Sequence, residues 1–260
     1  IDNGTTGLDL AASTISGTLT ATGGASAGIV DSGNVAVAGN VTLTTDANNG
    51  VINMGTLQQS AGDLILVTNG NGAATVVNNA AIDFGTSNVG GALSATASAG
   101  NITQNGGAIT VAGTSSFILG ANSANVVLDH ASNAFSGAVT LLAGAGGSQA
   151  FGNVTFVDDS AVKIDANADA AGDLYLNAGT DGAVGGNLAV TATTGNITQG
   201  VAVAVTGTSA FTTSATDATI TLGTTTNALG GTVAFTTAGT AGNVVIDNGT
   251  TGLDLAASTI

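Results

Sequence analysis

The sequence predicts an all-β chain wound as a single-stranded parallel β-helix, a β-solenoid of about ten coils. Three observations carry the prediction. Strand-sized apolar alternations recur along the whole chain. Two long blocks repeat one another. The composition lacks the residues of helices and keeps those of packed strands.

The alternations include LDL at 8–10, VAV at 35–37, VTL at 41–43, LIL at 64–66, IDF at 82–84, ITV at 109–111, VVL at 126–128, VTF at 154–156, VKI at 162–164, LYL at 174–176, LAV at 188–190, ITL at 220–222 and VAF at 233–235. In each, residues i and i+2 point to one side, as in a half-buried strand. Many follow a turn signal: GNV at 33–35, 39–41, 152–154 and 242–244, GNI at 100–102 and 195–197, GDL at 62–64 and 172–174. Gly permits the positive φ of a sharp corner, and Asn or Asp tolerates it best among the rest. These glycines are therefore expected at positive φ.

The repeats are longer. Residues 99–143 and 194–237 share a skeleton of GNITQ, an apolar alternation, GTS with Phe two residues later, an apolar strand, NA and a Gly-led strand. The offset is 95 residues at the start and 94 after a one-residue deletion. Separately, IDNGTTGLDLAASTI occupies both 1–15 and 246–260. Duplicated blocks lying end to end suit a solenoid better than a closed sandwich. Residues 1–260 read as one continuous β-solenoid, with 1–245 as one long period and 246–260 as the start of the next copy. Coils of roughly 20–30 residues stacked at ~4.8 Å give a rod on the order of 50 Å per period.

Composition has a mechanical explanation in such a rod. Of 260 residues 41 are Gly, Pro and Cys are absent, and Glu and Arg do not occur, so all 16 acidic residues are Asp. Good helix formers other than Ala and Leu are scarce. A 43% hydrophobic share is too high for a chain that stays solvated. Every interior strand has neighbours on both sides, where Pro would remove a ladder bond. Phe84, Phe117, Phe135, Phe151, Phe156, Phe211 and Phe235 are expected to plug the bore. Lys163 is the one basic side chain apart from His130, and the net charge is −15. Such a chain cannot neutralise a row of phosphates, which argues against nucleic-acid partners. No apolar run approaches the ~18–20 residues of a membrane-spanning helix, so no membrane insertion is expected. The missing Cys removes disulfide and thiolate metal sites.

The blocks GNITQ…VxGTSxF…L…NAxxGxV resemble the repeats of large bacterial exoproteins of the filamentous-haemagglutinin type. The resemblance implies a right-handed parallel β-helix, exported to the cell surface as a long shaft. It runs through 99–143 and 194–237 with looser echoes elsewhere. The chain departs from the family's usual pattern in lacking Arg, Glu and Pro and in its long, irregular repeats. The family's secretion and receptor-binding regions have no counterpart in these residues, so the resemblance carries over no binding residue.

No catalytic, cofactor-binding or metal-binding residue is assigned. His130, the one His, lacks the partners of a zinc site or a triad and reads as a loop residue. Asp158–Asp159 is the one acidic pair; neighbours in a strand face opposite ways, so they form no dyad and read as solvated Asp at a strand end. Lys163 and Asp165 should share the outer face as a surface pair. Asp9, Asp83 and Asp254, each between apolar neighbours, should also point outward and oppose lateral sticking. GTDGAVGG at 179–186 matches Gly-Asp calcium turns only loosely, so a weak structural calcium is the most it offers, and no cofactor is expected. Thr-rich stretches at 18–22, 42–45 and 218–226 raise an ice-binding alternative, but the Thr runs shift relative to the Gly corners. Tyr175, the one Tyr, gives thin support for glycan binding.

These readings converge on a non-enzymatic, structural role: an extracellular rod or fibre segment of a giant repetitive bacterial surface protein, such as an adhesin shaft, filament or sheath. The expected partners are neighbouring copies of the same repeat, in tandem or end to end, with other cells or surface glycans as further contacts. The alternatives are a carbohydrate-acting β-helix enzyme and an ice-binding solenoid.

Overall fold

A computed structural model describes residues 1–144, 147 and 149–260. Among the described residues there are 31 strands and no helix. Every strand pair is parallel, and the strands stack as a β-solenoid of about 11 turns.

Two walls run the length of the rod. Wall 1 contains, in stacking order, Leu8–Leu10, Ile29–Asp31, Ile52–Gln59, Ala74–Asn78, Leu93–Ala97, Ser115–Leu119, Val139–Ala143, Asp173–Asn177, Val162–Asp165, Ile197–Gln199, Ile220–Leu222 and Val244–Ile246. Wall 2 runs from Leu19–Gly23 through Val41–Thr45, Leu64–Val67, Ile82–Phe84, Ile102–Gln104, Val126–Leu128, Val154–Asp158, Leu188–Ala192, Ser209–Thr216 and Thr232–Ala238 to Asp254–Leu255. A small third wall is made of Ala183–Val184, Ala204–Val205 and Ala228–Leu229. Most coils are 19–24 residues long, as in Ala74↔Leu93↔Ser115↔Val139. Around residues 139–197 the offset rises to 34–35.

The alternations fold as the sequence predicts. Val139–Ala143 and Leu188–Ala192 bury every second residue, and the intervening side chains stay half-exposed. Val, Ile, Leu and Ala fill one continuous core. All seven Phe are within it, each at most 2% exposed. Phe84, Phe117, Phe135 and Phe156 form a column along the axis, with successive ring centroids 5.9, 5.9 and 5.5 Å apart. Phe211 and Phe235 stack at 6.0 Å. Edge-to-face and offset contacts of this kind add to the area that each ring buries.

The glycine corners are a partial correction. Gly62, Gly100 and Gly172 do have positive φ, but Gly33, Gly39, Gly152, Gly195 and Gly242 do not. Crowding between coils accounts for several of these: a Cβ on Gly33 would lie 2.7 Å from the Ala12 nitrogen, and one on Gly195 2.6 Å from the Ala161 Cβ. There glycine answers the inter-strand spacing, not the dihedral.

The repeated blocks do not repeat in azimuth. Ser115–Leu119 lies on wall 1, whereas its repeat counterpart Ser209–Thr216 lies on wall 2. The fifteen-residue match behaves likewise. Leu8–Leu10 lies on wall 1, while the equivalent Asp254–Leu255 pairs onto Thr232–Ala238 of wall 2. Asp2 bridges to Thr22 on wall 2, while the equivalent segment near Ile246 sits on wall 1. The 245-residue period is thus not a whole number of turns.

Candidate functional site

Three kinds of polar structure interrupt the apolar stack. The first is a ladder at the corners. The backbone N–H of Asn125 donates to Asn101 Oδ1 at 2.8 Å, that of Asn153 to Asn125 Oδ1 at 2.6 Å, that of Asn187 to Asn153 Oδ1 at 2.8 Å, and that of Thr208 to Asn187 Oδ1 at 2.8 Å. The Asn of the GN corners, and Asn125 after Ala124, therefore link coil to coil, a role that the turn signal alone does not reveal.

The second is a pair of duplicated amide clusters. Gln104 Nε2 donates to Asn133 Oδ1 at 2.7 Å, Asn133 Nδ2 donates to Gln104 Oε1 at 2.9 Å, and the Ile109 N–H also donates to Asn133 Oδ1. In the second block Gln199 and Asn227 make the same reciprocal bonds at 2.8 and 2.9 Å, with the Val203 N–H on Asn227 Oδ1. Sequence reasoning missed these groups. Their signal was present, since the Gln of GNITQ and the Asn of NA recur in both blocks. Burial of an amide requires that its donors and acceptors be met, and the pairing meets them.

The third is the junction between the two blocks, residues 144–193, where charge-bearing side chains gather. Asp158 and Asp159 face opposite ways, as expected, but only Asp159 is solvated. Asp158 is 2% exposed, and its Oδ1 accepts from the N–H groups of Phe135 and Asp159, both at 2.9 Å. Its Oδ2 accepts from Ser160 Oγ at 2.6 Å. The expectation of two solvated carboxylates is corrected here, because the first Asp caps a corner inside the coil. Burial pushes the Asp158 pKa up, against the hydrogen bonds that favour its ionised form. Lys163 and Asp165 pair on the outer face, and Asp173 Oδ1 lies 3.9 Å from Lys163 Nζ. The hydrogen bond between them lowers the Asp165 pKa and raises that of Lys163. Tyr175 donates its hydroxyl to Asp181 Oδ1 at 3.0 Å, and burial together with that bond raises the phenol pKa.

The remaining candidates are dispersed. His130 lies in a loop, its Nδ1 accepting from the Ser132 N–H at 3.1 Å. Asp9 and Asp254 are exposed, and half-buried Asp83 accepts from Thr103 Oγ1 at 2.9 Å. Among the described residues no three His, Cys, Asp or Glu side chains converge as metal ligands. Thr20 and Thr22 stack on Thr42 and Thr44, but the next coil places Ile65 and Val67 there, so this Thr array is two coils deep.

A groove of about 820 Å³ opens beside the junction, lined by Asn122, Gln149 and Thr180 together with the ladder of Ala183, Ala204 and Ala228. Among the described residues no titratable side chain lines it, and those that do line it offer amide, hydroxyl and aliphatic contacts.

Comparison with curated proteins yields no match, and neither does comparison with solved structures. A family model described as repeats of unknown function matches residues 71–142 and 151–236, so the gap between its two segments falls at the start of the junction just described. Covering more than half of the chain, and both duplicated blocks in large part, this match places the chain in the DUF5649 family of repeats of unknown function.

Proposed function

We propose that the chain is a structural rod segment of a large repetitive bacterial surface protein, carried outside the cell as part of a shaft, filament or sheath and followed in tandem by further copies. The observation that carries this reading is the unbroken axial ladder: main-chain bonds join every coil to the next along both walls. Bending or stretching such a column must break many bonds together. The recurrence of residues 1–15 at 246–260 supports a tandem arrangement. A polysaccharide-cleaving role would require carboxylates that face a common space open to substrate; Asp158 is buried and hydrogen-bonded to Phe135, and Asp165 and Asp173 converge on Lys163.

The test is immunogold labelling of intact cells of the source organism with antibody raised against this chain. The expected outcome is label on extended surface fibres. Label that appears only after lysis overturns the proposal.

A further inference from the structure

The registers between residues 139 and 197 differ from those elsewhere in a specific way. Val139 pairs with Leu174, Val154 with Leu188 and Val162 with Ile197, offsets of 34–35 residues. Within that span Ile164 pairs directly, and in parallel, with Leu174, an offset of ten. Removing ten residues returns the long coils to 24–25, close to the ordinary length. The chain lays down Val162–Asp165, passes through 166–172, and returns as Asp173–Asn177 in the gap between Val162–Asp165 and Val139–Ala143. Wall 2 has no counterpart: Val154–Asp158 pairs directly with Leu188–Ala192. The sequence keeps a trace of duplication, since Ala161-x-x-Ile164-x-x-Asn167-Ala168 recurs as Ala171-x-x-Leu174-x-x-Asn177-Ala178.

We infer that residues 165–174 are an inserted rung, a ten-residue strand duplication slipped into an otherwise complete coil, and that it bends the rod. It lengthens wall 1 by one inter-strand spacing, ~4.8 Å, without a matching gain on wall 2, so the axis turns with wall 1 on the convex side. The registers also say how the rung comes out. Joining Ile164 to Tyr175 leaves Val162, Lys163, Ile164, Tyr175, Leu176 and Asn177 as one strand. Its alternation is intact, with Val162, Ile164 and Leu176 facing the core. That strand keeps both of its present neighbours: Tyr175↔Thr140 and Leu176↔Leu141 on one side, Val162↔Ile197 on the other. In a tandem array, which rests on the function proposed above, the non-integral period points successive bends in different directions.

The experiment uses the single chain, so its outcome is independent of whether an array exists. Deletion of residues 165–174 is compared with deletion of 189–198, which removes strand residues that no register restores. The first variant is expected to unfold cooperatively near the parent temperature, and the second to lose its cooperative transition. Nitroxide pairs are then placed by cysteine substitution at Thr75 and Thr221 on wall 1, and at Thr42 and Ala234 on wall 2. Pulsed electron resonance should report the wall 1 distance shortened by about one spacing, ~4.8 Å, in the first variant, with the wall 2 distance unchanged. Equal shortening of both walls overturns the bend. Amide exchange in the intact chain is the second measurement: Asp173–Asn177 should exchange as slowly as Val139–Ala143. Exchange at loop rates overturns the rung, as does a first variant that unfolds like the second.

Discussion

At the residue scale the rod is specified by a few polar atoms that the apolar pattern does not announce. Asn227 illustrates this. Its amide is joined to Gln199 in both directions, accepts from the Val203 N–H, and donates to the Leu222 and Asp247 carbonyls at 3.0 and 2.8 Å. Asn227→Ala leaves several of these groups without partners inside the coil. Each unmet buried group costs about 1–3 kcal/mol, so the variant is expected to lose about 3 kcal/mol in urea-monitored unfolding; a loss no larger than that of a surface Asn→Ala change would refute the assignment. Asp158 gives the complementary case. Its folded pKa is raised above the unfolded value by burial, so the ionised form is disfavoured in the fold. Stability from this group is complete below the ordinary carboxylate range and is lost as pH rises through the raised pKa. Asp158→Asn keeps a side-chain oxygen for the Phe135 N–H and removes the titration. The variant should gain stability relative to the parent as pH rises from the carboxylate range to neutrality. Parallel stability curves for the two proteins would rule this out.

At the element scale each strand is short, and stacking does the work that length does elsewhere. Leu93–Ala97 is five residues long, yet it is paired on one side to Ala74–Asn78 and on the other to Ser115–Leu119 along its whole length. This is why the sequence tolerates so much Thr and Gly and no Pro. Thr96→Pro removes a ladder donor from a strand bonded on both sides, and it is expected to destabilise the chain by about 1–3 kcal/mol through the orphaned carbonyl alone. Hydrogen exchange should show lost protection first in the strands on either side; unchanged exchange there would contradict axial pairing. The strands themselves were legible in the sequence, because a period of two with apolar i and i+2 depends on local pattern only. Their neighbours were less so. The GTS strands at 115 and 209 read alike, but they sit on different walls, since wall assignment depends on the summed length of all intervening coils. The ten-residue back-step at Ile164 and Leu174 was hidden for the same reason: VKI and LYL both read as ordinary rungs, and only register distinguishes an inserted one.

At the scale of the whole molecule, charge decides how rods meet. The chain carries −15 with Lys163 as its one Lys, and its pI is about 4.1. Most of the apolar side chains are turned into the bore, with Val245, Leu253 and Leu255 exposed at the last coil, and the outward positions at Asp9, Asp83 and Asp254 carry carboxylates. Much of this was readable beforehand, since the sign of the surface follows from composition once the core is known to take the Val, Ile and Leu. The buried Asp158 was not, because its neighbour Phe135 lies 23 residues away in sequence and one coil away in space. Two neighbouring rods of the same sign repel along their length, and that repulsion is screened within about 10 Å at 0.1 M salt. Side-by-side association should therefore be weakest at neutral pH and low ionic strength. It should rise as pH falls toward the pI of about 4.1, where the net charge that holds rods apart vanishes. Divalent cations should act at far lower concentration than NaCl if carboxylates of adjacent rods share them. Static light scattering over pH 4–8, repeated with CaCl₂ and with chelator, measures all three. Equal scattering at matched ionic strength of Ca²⁺ and Na⁺ would remove cation sharing and leave screening alone, and scattering that is flat across both pH and ionic strength would remove charge from the account of lateral assembly.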